Sequence, residues 1–198
     1  HLYPEVEVPA ELGGGKATVI AWISARTVTC PNPACRSTMP LLNGFALSKR
    51  KGKEAWLRPE PHPHERRVAF DVVHGKGCPT GGSVGRSGVE CLVCGEVTGL
   101  KYVRQEGQEG RVGSQLVCVV AVGERRRDYF RAELAPDTQV VTLPDDLPDT
   151  DLSYNPRAIT APNYGFTKHR HLFTDRQLVA LTTFSDLVGE ARLRCTFD

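Results

Sequence analysis

The chain of 198 residues lacks any apolar run long enough to span a bilayer. Its longest, Leu116 to Val122, suits a buried strand. It lacks the Gly-x-x-x-x-Gly-Lys phosphate loop, the Gly-x-Ser-x-Gly elbow and the His-Glu-x-x-His pair, which leaves no recognisable platform for phosphoryl, ester or metal-peptidase chemistry. It also lacks a strong charge balance: the formal net charge is +2, so only local clusters bear on nucleic acid. No βαβ pattern surrounds its cysteines, which argues against a thioredoxin-like role. The start, His1-Leu2-Tyr3-Pro4, is neither basic nor followed by an apolar stretch, as a secretory signal would be. It carries no initiating Met, so a processed product or an excised segment is expected.

What the chain does have is cysteine. There are seven, at 30, 35, 78, 91, 94, 118 and 195. An odd number in close pairs does not read as a disulfide framework, and a chain of this length builds a core without staples. A reducing, cytoplasmic compartment is expected. Cys91-Leu92-Val93-Cys94-Gly95 has the gap of a zinc knuckle, and Gly95 permits the left-handed backbone such turns use. Cys30-Pro31-Asn32-Pro33-Ala34-Cys35 has a longer gap within the range of zinc ligands. The long loop between the pairs weakens the pattern only modestly, because closure entropy grows slowly with length. The competing reading is a set of buried or redox cysteines. Four thiolates would fill a tetrahedron, so the predicted Zn²⁺ is structural. His74 and Cys78 form a third, weaker pair. Cys118 reads as a small core residue, and Cys195 is assigned nothing.

The fold class expected is α+β: mostly short antiparallel strands with a zinc-ribbon-like element and a C-terminal amphipathic helix. Lys16 to Thr29 reads as a long strand. Phe45 to Ser48 and Ala55 to Leu57 read as strands around the turn Lys49–Lys53. Pro59 to His64 reads as a Pro-rich loop, Arg67 to Val73 as a strand and Gly75 to Gly88 as a Gly-rich, mobile connection. Leu116 to Val122 and Asp128 to Arg131 form a hairpin around Gly123–Arg126. Thr174-Asp175-Arg176-Gln177 fits a capping box, after which Leu178, Leu181, Phe184, Leu187, Val188 and Ala191 recur at helical spacing to about Arg192. The domain reading is a β-rich, zinc-containing part over 1–142, a Pro/Asp-rich linker over 143–173 and the helix over 174–192.

Two basic clusters stand out. Lys49, Arg50, Lys51 and Lys53 crowd one turn beside Trp56, and Arg125, Arg126 and Arg127 crowd another. Exposed cations neutralise phosphates, and a nearby Trp can stack on an unpaired base. Each cluster alone reads more simply as a solvated turn, with Trp56 in a core; beside a zinc ribbon the DNA reading gains weight. His169 and His171 are expected to be satisfied loop histidines. Asp145, Asp146, Asp149 and Asp151 read as a solvated acidic linker without EF-hand spacing.

Several ordered stretches go together: Ala17 to Cys35, Leu47 to Trp56, Cys91 to Cys94, Gly110 to Gly113, Asn163 to Lys168 and Leu172 to Arg192. Over about Leu2 to Arg192 the chain resembles the large prokaryotic adenine-specific DNA methylases of the domain-of-unknown-function 1156 family. The resemblance implies a parent protein dependent on S-adenosylmethionine, found beside helicases in phage-defence gene clusters. The family's Phe-x-Gly-x-Gly cofactor motif lies upstream of the matched region, and its Asp-Pro-Pro-Tyr catalytic motif downstream. Neither occurs here, so no catalytic or cofactor-binding residue is carried over. The chain corresponds to the insertion between them, with Cys30, Cys35, Cys91 and Cys94 as zinc ligands. The partners expected are DNA, the remaining methylase domains or a defence-system subunit, and a second copy through the C-terminal helix. The tail Leu193–Asp198 departs from the family pattern, so the helix is expected to lack its usual packing partner.

Overall fold

Alternation of apolar and polar residues sets the strands, and two irregularities bend them into place. The computed structural model describes residues 4–123, 127–135, 141–155 and 157–195. In chain order the strands are β1 (Glu5–Glu7), β2 (Lys16–Thr29), β3 (Thr38–Leu41), β4 (Ala46–Ser48), β5 (Ala55–His62), β6 (Arg67–His74), β7 (Val89–Glu90), β8 (Val97–Thr98), β9 (Gly113–Gly123) and β10 (Arg127–Arg131). Among the described residues two α-helices, α1 (Leu100–Gln108) and α2 (Asp175–Cys195), complete the regular elements with four short 3-10 turns. The fold is α+β, as the sequence predicts.

All strand pairing among the described residues is antiparallel. The first sheet runs β1-β2-β9-β10, with β3 beside the far end of β2. Val19 faces Ala121 and Ala21 faces Val120, so Ile20 is an extra residue on β2; Ile23 faces Cys118 and Ser24 faces Leu116, so Val117 is one on β9. Bulges of this kind bend and twist the strands they interrupt. The second sheet, β4-β5-β6, lays Leu57, Val68 and Phe70 against Ala25, Val117 and Cys118 of the first. On the opposite face of the first sheet, Val19, Val119, Ala121 and Phe130 form a second buried cluster. There Trp22 donates its indole N–H to the Ala135 carbonyl at 3.0 Å.

Chain contacts divide the protein into two units, His1–Glu106 with Gly110–Asp137, and Gly107–Glu109 with Thr138–Asp198. The sheets and all the knuckles lie in the first. In the second, Leu152 N–H bonds the Thr167 carbonyl and His169 N–H bonds that of Thr150. Asp149 takes ion pairs from Lys168 and Arg170. At the start of α2, Thr174 N–H donates to Gln177 Oε1 at 2.9 Å and Gln177 N–H to Thr174 Oγ1 at 3.4 Å, closing the expected capping box. The helix runs on to Cys195, and Leu181, Phe184, Leu187, Val188 and Leu193 along it are all exposed.

Two expectations need correction. Pro59 to His62 is not loop: β5 continues through it, with Pro59 opposite Phe70 and Pro61 opposite Val68. The reason is edge geometry. Leu57 donates its N–H away from β6, to the Phe45 carbonyl, so positions 59 and 61 also turn their nitrogens to the outer edge, where proline removes no ladder bond. The second half of the Gly75–Gly88 connection is tied down rather than free. Ser83 is buried; its hydroxyl donates to the Pro40 carbonyl at 2.5 Å and accepts the Leu42 N–H at 2.9 Å.

No helix among the described residues is long and apolar enough to cross a membrane.

Candidate metal centre

Two hairpins bring four sulfurs together. β2 runs straight into Cys30, and the turn to β3 is closed by Cys30 N–H to the Ser37 carbonyl at 2.8 Å. β7 runs into Cys91, and the turn to β8 is closed by Cys91 N–H to the Glu96 carbonyl, also at 2.8 Å. The two knuckles share one backbone solution. The residue after the second cysteine of each is left-handed: Arg36 at φ 53° and Gly95 at φ 76°.

Cys30 Sγ lies 3.8 Å from Cys94 Sγ, and Cys35 Sγ lies 3.8 Å from Cys91 Sγ. All four sulfurs fall within 4.8 Å of one another. A tetrahedron with zinc–sulfur bonds of about 2.3 Å has sulfur–sulfur edges of about 3.8 Å. The donor set and its spacing therefore fit a four-coordinate metal ion with a thiolate preference. A redox pair needs two sulfurs; here four converge from two hairpins. Cys30 and Cys91 are buried, Cys35 is half-buried and Cys94 is exposed.

Backbone N–H groups point at three of the four sulfurs. Cys30 receives the Asn32 N–H, Cys35 the Ser37 N–H, and Cys91 the N–H groups of Val93 and Cys94. Hydrogen bonds to a thiolate favour the charged form. Without a metal, burial still wins at two positions, pushing the Cys30 thiol up to about 12 and raising that of Cys91. At Cys35 burial also pulls upward, but the Ser37 hydroxyl and N–H outweigh it and bring the thiol down to about 7. The Ser37 hydroxyl stands 3.1 Å from Cys35 Sγ. A bound cation removes the burial penalty by neutralising the thiolates.

Support for the centre comes from α1. Tyr102 donates its hydroxyl to the Thr29 carbonyl at 2.8 Å, fastening the helix to the last residue of β2 before Cys30. Sequence periodicity misses α1, since it buries only Val103, Glu106 and Gly107, and the middle of these is a carboxylate. Glu106 is paired with Arg111. The Cys-x-Ser spacing of Cys35 and Ser37 is the one local sign of a hydroxyl beside the cysteine cluster.

The other candidates separate from the centre. His74 Nδ1 lies 3.4 Å from Asp128 Oδ1, Cys78 Sγ is 3.5 Å from the Pro79 carbonyl, and neither belongs to a group of described residues able to hold a metal. Cys118 is fully buried in the core, where burial pushes its thiol up to about 12. His169 Nδ1 lies 3.1 Å from Thr150 Oγ1, and His171 Nδ1 accepts the Lys168 N–H at 3.4 Å. Among the described residues the four cysteines are the one cluster able to hold a metal; the Asp145–Asp151 run is not such a cluster.

Lys49, Arg50, Lys51 and Lys53 are all exposed on the β4–β5 turn, with Trp56 half-buried on β5. Arg127 is exposed at the start of β10, while Arg125 and Arg126 lie outside the described residues.

Comparison of the chain with protein-family models, with curated proteins and with solved structures finds no match in any of the three.

Proposed function

We propose that this chain is a structural zinc-binding insertion domain of an S-adenosylmethionine-dependent, adenine-specific DNA methyltransferase, and that it assists DNA binding. The observation that carries the zinc part is the convergence of Cys30, Cys35, Cys91 and Cys94, with two sulfur pairs at 3.8 Å and all four within 4.8 Å of one another. When bound, zinc neutralises the thiolates and cross-links the β2–β3 and β7–β8 hairpins. With four sulfur ligands it has no open position for water, so its role is to fasten the fold. The chain carries no cofactor or catalytic motif of its own, and methyl transfer belongs to the parent protein, in a reducing, cytoplasmic setting.

DNA assistance is supported by the four exposed cations on the β4–β5 turn, held at one end of the second sheet, with Arg127 on a second hairpin. Such turns bind phosphate through counterion release, without reading sequence. Metal analysis tests the zinc part: one zinc per wild-type chain is expected, and loss of it in Cys91→Ser. Gel shifts test the DNA part. Salt-dependent binding is expected, weakening when Lys49, Arg50, Lys51 and Lys53 are made neutral; no shift at low salt overturns it.

One observation favours a second reading, a protein-interaction module without DNA contact. Leu181, Phe184, Leu187 and Val188 on α2 are each at least half exposed, an unusual surface for a helix with no partner. The partner is then the methylase core, a defence-system subunit or a second copy. Replacing Leu181 and Phe184 by Asp is expected to abolish association in sedimentation; an unchanged oligomeric state and solubility rule this reading out.

A further inference from the structure

Outside the metal centre, the first unit holds a cleft of about 540 Å³ between the β4–β5 hairpin and the Gly75–Gly81 segment. The volume is that of a small-ligand site. Its walls are largely apolar, with a few polar and charged groups among them. Lys49 and Lys76 stand on opposite sides, Asn43, Ser48 and Thr80 offer neutral hydrogen-bonding groups, and Trp56 contributes the large aromatic surface. Glu54 is the single acidic side chain of the lining.

Trp56 is the unusual member. Its indole Nε1 is buried and has no hydrogen-bond partner. The other tryptophan, Trp22, has its N–H satisfied by a carbonyl. Buried indole donors ordinarily find an acceptor, and an unpaired one is costly. An orphan donor in the wall of this cleft is explained if the acceptor arrives with a ligand. The nitrogen is covered, so a ligand atom reaches it only if the facing wall yields. Gly75, Gly77 and Gly81 of the lining have positive φ, and nothing lies within 4 Å of where their side chains would begin, so the cleft has room on that side.

We propose that this cleft is a nucleotide subsite, with Lys49 and Lys76 on the phosphate and Trp56 against the base, its N–H paired to a ligand oxygen or ring nitrogen. Phosphate-seeking cations flanking an aromatic ring are the elements of sequence-tolerant recognition of unpaired nucleotides. Lys49 belongs both to the cleft and to the basic turn, so a strand leaving the cleft continues over Arg50, Lys51 and Lys53. The proposal rests on the nucleic-acid reading above and names the part of the surface where a nucleotide, free or within a single strand, is held.

The test is a binding titration of the zinc-loaded chain with a thymidylate oligonucleotide and, separately, with thymidine monophosphate. Trp56→Phe keeps the ring position and deletes the donor. It is expected to weaken both ligands about tenfold, the loss of one hydrogen bond to a charged or strongly polar acceptor. Lys76→Gln, on an exposed segment and safe for folding, is expected to weaken oligonucleotide binding and lower its log–log salt slope by about 0.7. Amides of residues 75–81 are expected to change in hydrogen-exchange rate with either ligand. If Trp56→Phe is misfolded by zinc content and circular dichroism, Lys76→Gln and the exchange data decide. Wild-type affinity in both variants, with binding still lost when Lys51 and Lys53 are neutralised, overturns the subsite and leaves the DNA reading standing. Monophosphate binding that depends on Trp56, without oligonucleotide binding, supports the subsite and removes the DNA reading. No binding of either ligand by the wild type overturns both.

Discussion

Arg36 and Gly95 occupy the same place in two knuckles of unequal length, each in the left-handed region just after its second cysteine. Glycine takes that conformation freely, whereas arginine carries a steric cost of about 1–2 kcal/mol there. Arg36→Gly is therefore expected to stabilise the zinc-loaded protein by roughly 0.5 kcal/mol, after the extra freedom glycine gives the unfolded chain is subtracted. Gly95→Ala is expected to cost about 1 kcal/mol. Urea midpoints at fixed zinc check both, and a stabilising Gly95→Ala would contradict the geometry.

Cys91 and Cys118 are both buried, yet their replacement by serine should differ in kind. Cys91→Ser removes a metal ligand, and structural zinc sites couple roughly 10 kcal/mol of binding to folding. Loss of zinc and of the folded hairpins is expected. Cys118→Ser leaves the centre intact but buries a hydroxyl among apolar side chains, at about 1–3 kcal/mol. Elemental analysis of the two proteins separates them: near-zero zinc in the first, one zinc in the second. Equal zinc loss in both would mean that the four sulfurs are not the site.

Zinc affinity is expected to fall with decreasing pH and to fall more steeply below about 7. Above that point Cys35 is already a thiolate, so only the other sulfurs yield protons to the metal; below it one more proton must be displaced. In the metal-free folded chain, Cys35 is lowered relative to its ordinary value. Its contribution to stability is therefore present above that ordinary value and lost as pH falls through about 7. Competition with a chelator across this range reads the change of slope. Ser37→Ala should move it upward, because the hydroxyl that favours the thiolate is gone.

Ser83 anchors the return from the second sheet to the second knuckle through the Pro40 carbonyl and the Leu42 N–H. Ser83→Ala leaves the part-buried Leu42 N–H short of its acceptor and is expected to cost about 1 kcal/mol. Thermal unfolding checks the loss, and hydrogen exchange at Leu42 should rise with it.

The parts of this fold legible in the sequence are those dictated by short-range chemistry. β2 matches its expected span because a run rich in β-branched and apolar residues, broken after Lys16 only by Ser24 and Arg26, ends at the Cys-Pro turn. The capping box fixes the start of α2 through two side-chain to backbone bonds between neighbours. The cysteine spacing announces the knuckles, and the structure joins them. What the sequence hides depends on partners distant in the chain. Pro59 and Pro61 read as strand breakers until the free edge of β5 is known. α1 is obscured because one of its buried positions is Glu106, acceptable only beside Arg111. The orphan indole of Trp56 is invisible without its surroundings.

The sulfurs that meet are 64 and 56 positions apart, and the whole β4-β5-β6 sheet lies between them. A chain emerging from the ribosome therefore presents Cys30 and Cys35 long before their partners exist. Two thiolates hold zinc loosely, so closure waits until the intervening hairpins have exited and folded. If zinc binds as proposed, metal capture is a late step of synthesis, because a nascent chain whose second sheet has failed to form has no complete tetrahedron to offer.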